Sequence, residues 1–244
     1  MTAFLKQVAG YYYSEGKMER HCFIFPNRRA LAFFRKYVGE CVAAARTPMM
    51  APHMYTMNDF FYKAAASTQT DQVHLLLELY DCYSELNPQH ESLDEFIFWG
   101  NVLLGDFNDV DKYLVEADKL FTNVADFREM QDGMDYLDDV QKAAIKRFIS
   151  HFKTGGRYKD EFLRIWDILL PLYQGFNSRL KDKSMCYEGQ VYRALAERLS
   201  EESVVDVLEP AFGADAKFVF VGLNALNECE RRLMRRMRDA QAEI

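Results

Sequence analysis

The sequence is poor in chain breakers. Its 244 residues include only 12 glycines and 6 prolines, too few for a collagen-like fibre, a low-complexity linker or a disordered tail. No hydrophobic run approaches the roughly 20 apolar residues that span a bilayer. The opening stretch, residues 1–17, has neither the apolar run nor the small-residue cleavage site of a secretory signal. The five cysteines (Cys22, Cys41, Cys82, Cys186 and Cys229) lie far apart with no Cys-x-x-Cys pair. That spacing excludes a disulfide framework or zinc ribbon and fits reduced thiols. There is no Ser–His–Asp, Cys–His or His-Glu-x-x-His arrangement, and His21, His53, His74, His90 and His151 are isolated from one another. Together these absences predict a soluble, cytoplasmic chain that does not enter a membrane and carries no metal centre.

What is abundant is apolar and aromatic: 49% of residues are hydrophobic and 14% aromatic, which with so few breakers predicts a largely helical protein. The net charge is −7, unlike that of a protein that simply coats nucleic acid. Its distribution is uneven. Residues 1–50 are net +5, 51–140 net −15, 141–200 net +6 and 201–244 net −3, so two basic stretches flank a strongly acidic one.

Hydrophobic periodicity predicts an amphipathic helix over Ala3–Ser14, a buried-type strand at His21–Phe25 and a helix from Ala30 to Ala45. A second strand is expected around Met54–Thr56, with Asn58 as the N-cap of a helix carrying Phe60, Phe61 and Tyr62. From Asp71 to Leu199 nearly everything reads as helix. The expected pieces are a run from Asp71, one from the capping sequence Ser92-Leu93-Asp94-Glu95, and further helices at 113–121, 137–152, 159–180 and 187–199. Gly155-Gly156 and Gly175 mark the expected breaks. A third strand, Lys217–Val221, leads through Gly222–Ala225 into a basic helix, Glu228–Ala240. This order predicts an α/β, mostly helical fold with one parallel sheet and a large helical insertion.

Three segments invite chemistry. Lys17 follows Gly10 and Gly16, but the spacing is wrong for a phosphate loop, Met18 replaces the required hydroxyl, and the segment precedes a strand instead of following one. Asp106–Asp111 resembles a calcium loop only superficially. It lacks the sixth-position glycine, and Val110 interrupts the ligand series, so an acidic junction between two helices is the expectation. Glu188 and Asp167 stand out from the other carboxylates by nothing in their spacing. The sharpest feature is Phe25-Pro26-Asn27-Arg28-Arg29, a turn from a strand into a helix, where open parallel sheets bind ligands. Helix-start N–H groups and two arginines there suit a phosphate backbone. They would equally pair with the acidic middle segment.

The stretch Phe23-Ile24-Phe25-Pro26-Asn27-Arg28-Arg29-Ala30 resembles motif Ia of UvrD-type superfamily 1 helicases, in which a strand ends in a turn that touches single-stranded DNA. Tyr55-Thr56-Met57-Asn58-Asp59-Phe60-Phe61 is similar to the segment of the next motif. Together with Phe96–Gly100, Leu103–Val115, Tyr187-Glu188-Gly189 and Val221–Asn227, these blocks resemble the N-terminal region of AddB-like, RecB/RecC-like PD-(D/E)XK helicase–nucleases of the Bacteroidetes type.

The resemblance implies a P-loop-NTPase-like (RecA-like) lobe at 1–70 and 213–244 and an all-helical insertion at 71–212. It implies DNA contacts from Pro26, Asn27, Arg28, Arg29, Thr56 and Asn58, with Lys and Arg of 142–198 as a diffuse supporting track. In that alignment Val221 and Gly222 stand where an active helicase carries its motif II Asp-Glu pair, and no phosphate loop is present. The implied chain is therefore a non-hydrolysing, helicase-like piece of a longer DNA-repair and recombination protein, with no cofactor of its own and with exonuclease activity elsewhere in the parent. Its implied partners are single-stranded or unwinding DNA and an AddA-like helicase–nuclease subunit or other domains of the parent chain. The alternative is a protein-interaction scaffold that makes no direct DNA contact.

Overall fold

The computed structural model describes residues 3–126 and 156–240. The described chain is mostly helical and contains a three-stranded, wholly parallel sheet of order β2-β1-β3, formed by β1 (His21–Phe25), β2 (His53–Thr56) and β3 (Lys217–Phe220). It divides into two compact units. One comprises residues 1–69, 111–114 and 186–244, and the other 70–110 and 115–185.

In the sheet unit, β1 is buried along its whole length, as a central parallel strand must be. Its side chains alternate between two cores. Phe23 and Phe25 join Phe34, Val38, Ala9 and Val219 beneath α1 (Phe4–Ser14) and α2 (Arg28–Ala45). Cys22 and Ile24 face the other core with Phe218. That core is supplied by α3 (Met57–Ala64) together with three later helices of the same unit: Glu188–Glu201, Val204–Phe212 and Glu228–Asp239. Its centre is a Phe61–Tyr192 stack, with centroids 3.9 Å apart and planes 4° from parallel. Helix starts follow the capping residues in the sequence. The Asn27 side-chain oxygen Oδ1 accepts from the Ala30 N–H at 3.0 Å, Ser203 caps with Asp206, and Asn227 forms a capping box with Glu230.

The second unit is helical: α4 (Gln72–Leu86), α5 (Leu93–Lys112, whose last residues belong to the sheet unit), α6 (Ala117–Asp126) and α7 (Gly156–Asp182). The α4–α5 turn is tied by Glu91, whose carboxylate accepts from Tyr83 Oη at 2.6 Å and from Trp99 Nε1. Two ion pairs join α4 to α7, Glu85 with Arg179 at 2.6 Å and Glu78 with Lys183 at 2.5 Å. The three further helices of the sheet unit are numbered α8 (Glu188–Glu201), α9 (Val204–Phe212) and α10 (Glu228–Asp239).

Several expectations need correction. Asp106–Asp111 is not a junction but the last turns of α5, because Leu103, Leu104, Phe107 and Val110 keep one helical face buried straight through it. The chain breaks only afterwards, at Leu114 with φ 54°. Gly175 lies inside α7, where helical hydrogen bonding tolerates it. Helix α9 was not expected, since Pro210 disguised it despite the Ser203–Asp206 cap. The sheet unit also takes in residues 186–212, which the sequence reading placed in the insertion. Val191, Leu195, Leu199, Val207 and Leu208 bury against the same core as Ile24 and Phe60. The helix expected at 137–152 lies outside the described residues. No helix of the described residues is long and apolar enough to cross a membrane.

Candidate functional site: the carboxyl edge of the parallel sheet

Strand register fixes where the motif residues stand. Phe25 pairs with Thr56 and Ile24 with Phe220, so Pro26-Asn27, Met57-Asn58 and Val221-Gly222 all leave the sheet at the same edge. This is the carboxyl edge, where open parallel sheets place their ligands. The Val221 N–H still donates to the Ile24 carbonyl at 2.8 Å. The chain then turns at Gly222, whose φ of +72° favours glycine.

The six candidate contact residues divide into two classes. Pro26, Asn27, Arg28 and Arg29 are exposed. Asn27 uses its side-chain oxygen Oδ1 to cap α2. Neither Arg28 nor Arg29 forms an ion pair with any described acidic group, so among the described residues the acidic segment does not neutralise them. Thr56 and Asn58 differ. Thr56 is buried, and its hydroxyl donates to Asp59 Oδ2 at 2.7 Å while accepting from the Asp59 N–H at 3.1 Å. Thr56 is thus the cap of α3, a role the sequence reading gave to Asn58. The Asn58 side-chain oxygen is itself buried, with no hydrogen-bonding partner among the described residues.

The electrostatics of α2 favour an anion. Its first turn contains no acidic residue, whereas α3 opens with Asp59 and α10 with Glu228 and Glu230. A helix N-terminus carries partial positive charge, and Arg28 and Arg29 add to it. Val221 is buried in the core with Val219, so an apolar side chain and a glycine stand at the end of β3 and no carboxylate is supplied there.

Several members of the expected supporting track already pair with acids, whereas Lys181 is exposed and forms no ion pair with a described acid. Arg179 and Lys183 are taken up by Glu85 and Glu78, Arg193 by Asp111, and Arg198 by Glu202. Lys142, Lys146, Arg147 and Lys153 lie outside the described residues, as do the side chains of Arg157, Lys159, Arg164 and Asp167. Lys17 is paired with Glu15 at 3.2 Å, in the turn before β1.

A second polar centre in the sheet unit escaped the sequence reading, although it joins two blocks already singled out there. Asp111, 1% exposed, accepts from Tyr187 Oη and, at 2.6 Å, from Arg193 Nε. The Cys229 thiol lies 3.5 Å from the Asp111 carbonyl. Beside it, Lys112 pairs with Glu188 at 2.6 Å and sits 5.1 Å from the Tyr192 ring centroid. Burial holds the Glu230 carboxyl above its usual value, Glu188 adding to the effect and Lys112 opposing it. The available signal was Asp111 itself, four residues after Phe107 in an otherwise apolar stripe. The centre is an internally satisfied tie with no vacant ligand position. Burial also pushes the thiols of Cys22, Cys82, Cys186 and Cys229 up, that of Cys229 to about 12, which argues against a nucleophilic cysteine among them. Among the described residues no group of His, Cys, Asp and Glu side chains is arranged to hold a metal ion. Comparison with protein-family models, curated proteins and solved structures finds no match for this chain.

Proposed function

We propose that this chain is a helicase-like lobe that holds single-stranded DNA without hydrolysing ATP, within a repair helicase–nuclease. The observation that carries the reading is the pair of exposed, unneutralised arginines, Arg28 and Arg29, in the first turn of α2 at the carboxyl edge of a parallel sheet. The sequence resemblance of the same turn to helicase motif Ia supports it, as does the parallel α/β core. On this reading the sheet unit is a RecA-like lobe whose nucleotide chemistry has been lost, because Val221 and Gly222 replace the carboxylates that hold magnesium–ATP. The helices between α3 and α8 are then an insertion in that lobe, and the catalytic partners are an AddA-like subunit or other domains of the parent protein.

The contact set is narrower than the motif alone implies: Arg28 and Arg29, with the Asn27 amide nitrogen and the helix-start N–H groups beside them. Thr56 serves α3 instead. Replacing both arginines by alanine should weaken binding of a fluorescent single-stranded oligonucleotide at least several-fold while leaving the thermal transition in place. Equal affinity for parent and double variant would overturn the assignment.

A second reading has its own observation. Phe98 is 81% exposed and Val102 53% on the outer side of α5, as at a protein-docking surface. If the chain is a scaffold without DNA contact, a Phe98→Asp variant would lose its partner subunit, and the double arginine variant would behave as the parent does.

A further inference from the structure

Helix α2 carries more than its first-turn arginines. Its solvent face presents Arg28, Arg29, Ala32, Phe33, Arg35, Lys36, Gly39 and Glu40, all exposed, while Phe34 and Val38 point into the core. Four cations and one acid occupy this face, and Lys36 alone among those cations has a described partner, Glu40 at 3.9 Å. An aromatic ring stands at one edge of this face, with Arg29 one turn before it and Lys36 one turn after. Phe33 is 47% exposed and lies against Tyr37, with ring centroids 6.4 Å apart and planes 28° from parallel. Tyr37 is itself held by Lys6 of α1, whose ammonium is 5.9 Å from the ring centroid. Arg29 lies one turn before Phe33, on the same side of the helix.

This side of α2 thus joins a half-exposed ring, braced by Tyr37, to the unpaired Arg29 one turn before it. It has the composition of a single-strand platform, in which cations follow the phosphates and a ring receives a base. We propose that Phe33 is a base-stacking residue, so that the ligand of α2 is an unpaired strand, bound with little sequence preference, with the first-turn Arg28 and Arg29 on its phosphates. A duplex, whose bases are already stacked, cannot use the ring. This inference rests on the DNA-binding reading above and names the side chain that receives a base.

The test compares parent, Phe33→Ala, Phe33→Trp and Arg28→Ala/Arg29→Ala in binding a dT oligonucleotide, the same oligonucleotide with abasic sites, and a duplex of equal length. Phe33→Ala should weaken dT binding by about ten-fold, the lower part of the range for loss of one stacked base. Its log–log salt slope should match the parent's, and it should no longer distinguish dT from abasic strand. Phe33→Trp should retain affinity and show tryptophan quenching on binding. Salt-sensitive binding that Phe33→Ala leaves unchanged would overturn the stacking role and spare the arginine reading. Absence of nucleic-acid binding by the parent would overturn both. Equal affinity for duplex and single strand would also contradict the proposal.

Discussion

Asp111 shows how much can depend on one carboxylate. It is almost fully buried and is satisfied by Arg193 and Tyr187, so removing it would take away the acceptor of a buried phenol and the nearer of the two carboxylates that Arg193 meets. Asp111→Ala is expected to cost about 3–5 kcal/mol, the range for breaking one side of a buried pair, and Asp111→Asn less, as read from urea unfolding. A cost below 1 kcal/mol would mean that the tie contributes little. Glu230 makes the opposite case. Burial, above all, raises its carboxyl above the ordinary 4.5, so the folded state holds the proton more tightly than the unfolded chain does. Stability therefore falls as pH rises from about 4.5 through the raised folded value, and above that value the loss is complete. Glu230→Gln, which keeps the capping geometry, should be more stable than the parent at neutral pH and should lose that advantage below pH 4.5. A stability difference independent of pH would contradict this assignment.

At the scale of elements, glycines separate two kinds of helix position. A Cβ on Gly100 would lie 2.8 Å from Phe96 Cδ1 and 2.9 Å from Leu76 Cδ1, and Phe96 is fully buried. Gly100→Ala should destabilise by about 1–3 kcal/mol through overpacking. Gly175→Ala in α7 meets nothing within 4 Å and should stabilise by about 0.5–1 kcal/mol through helix propensity. Thermal or urea unfolding of the two variants checks both signs. The same elements show where sequence patterning suffices. All three strands were legible, because runs such as His21-Cys22-Phe23-Ile24-Phe25 bounded by turns allow little else, and so were the helices that open on Asn27, Asp71 and Asn227. Element boundaries near tertiary contacts were not. Asp106–Asp111 reads as polar and therefore as a break, yet packing of Phe107 and Val110 carries the helix through it. Thr56 reads as a strand end with a free hydroxyl, yet a capping box with Asp59 consumes it. The candidate edge was visible in Pro26–Arg29, whereas the place of Phe33 was not, because only the fold distinguishes it from its buried neighbour Phe34.

For the molecule as a whole, the net charge of −7 conceals a division of labour. Much of the later basic charge is spent internally. Arg179 and Lys183 answer the acids of α4, and Arg193 answers Asp111. The arginines of α10 are also engaged, Arg231 and Arg235 with Glu228, and Arg236 with the Glu202 carbonyl. Arg20, Arg46, Lys63 and Lys181 also form no ion pair with a described acid, but Arg28 and Arg29 are the two that stand together in the first turn of α2 at the carboxyl edge of the sheet. A single-stranded ligand should therefore bind there with a salt dependence set by a few local contacts and not by the whole chain. The most direct test is the slope of log affinity against log salt for a dT oligonucleotide, parent against Arg28→Ala/Arg29→Ala. With about 0.7 counterions released per phosphate contact on a single strand, the double variant should bind more weakly with a slope shallower by about 1.4. Parallel slopes and equal affinities across the titration would contradict the account.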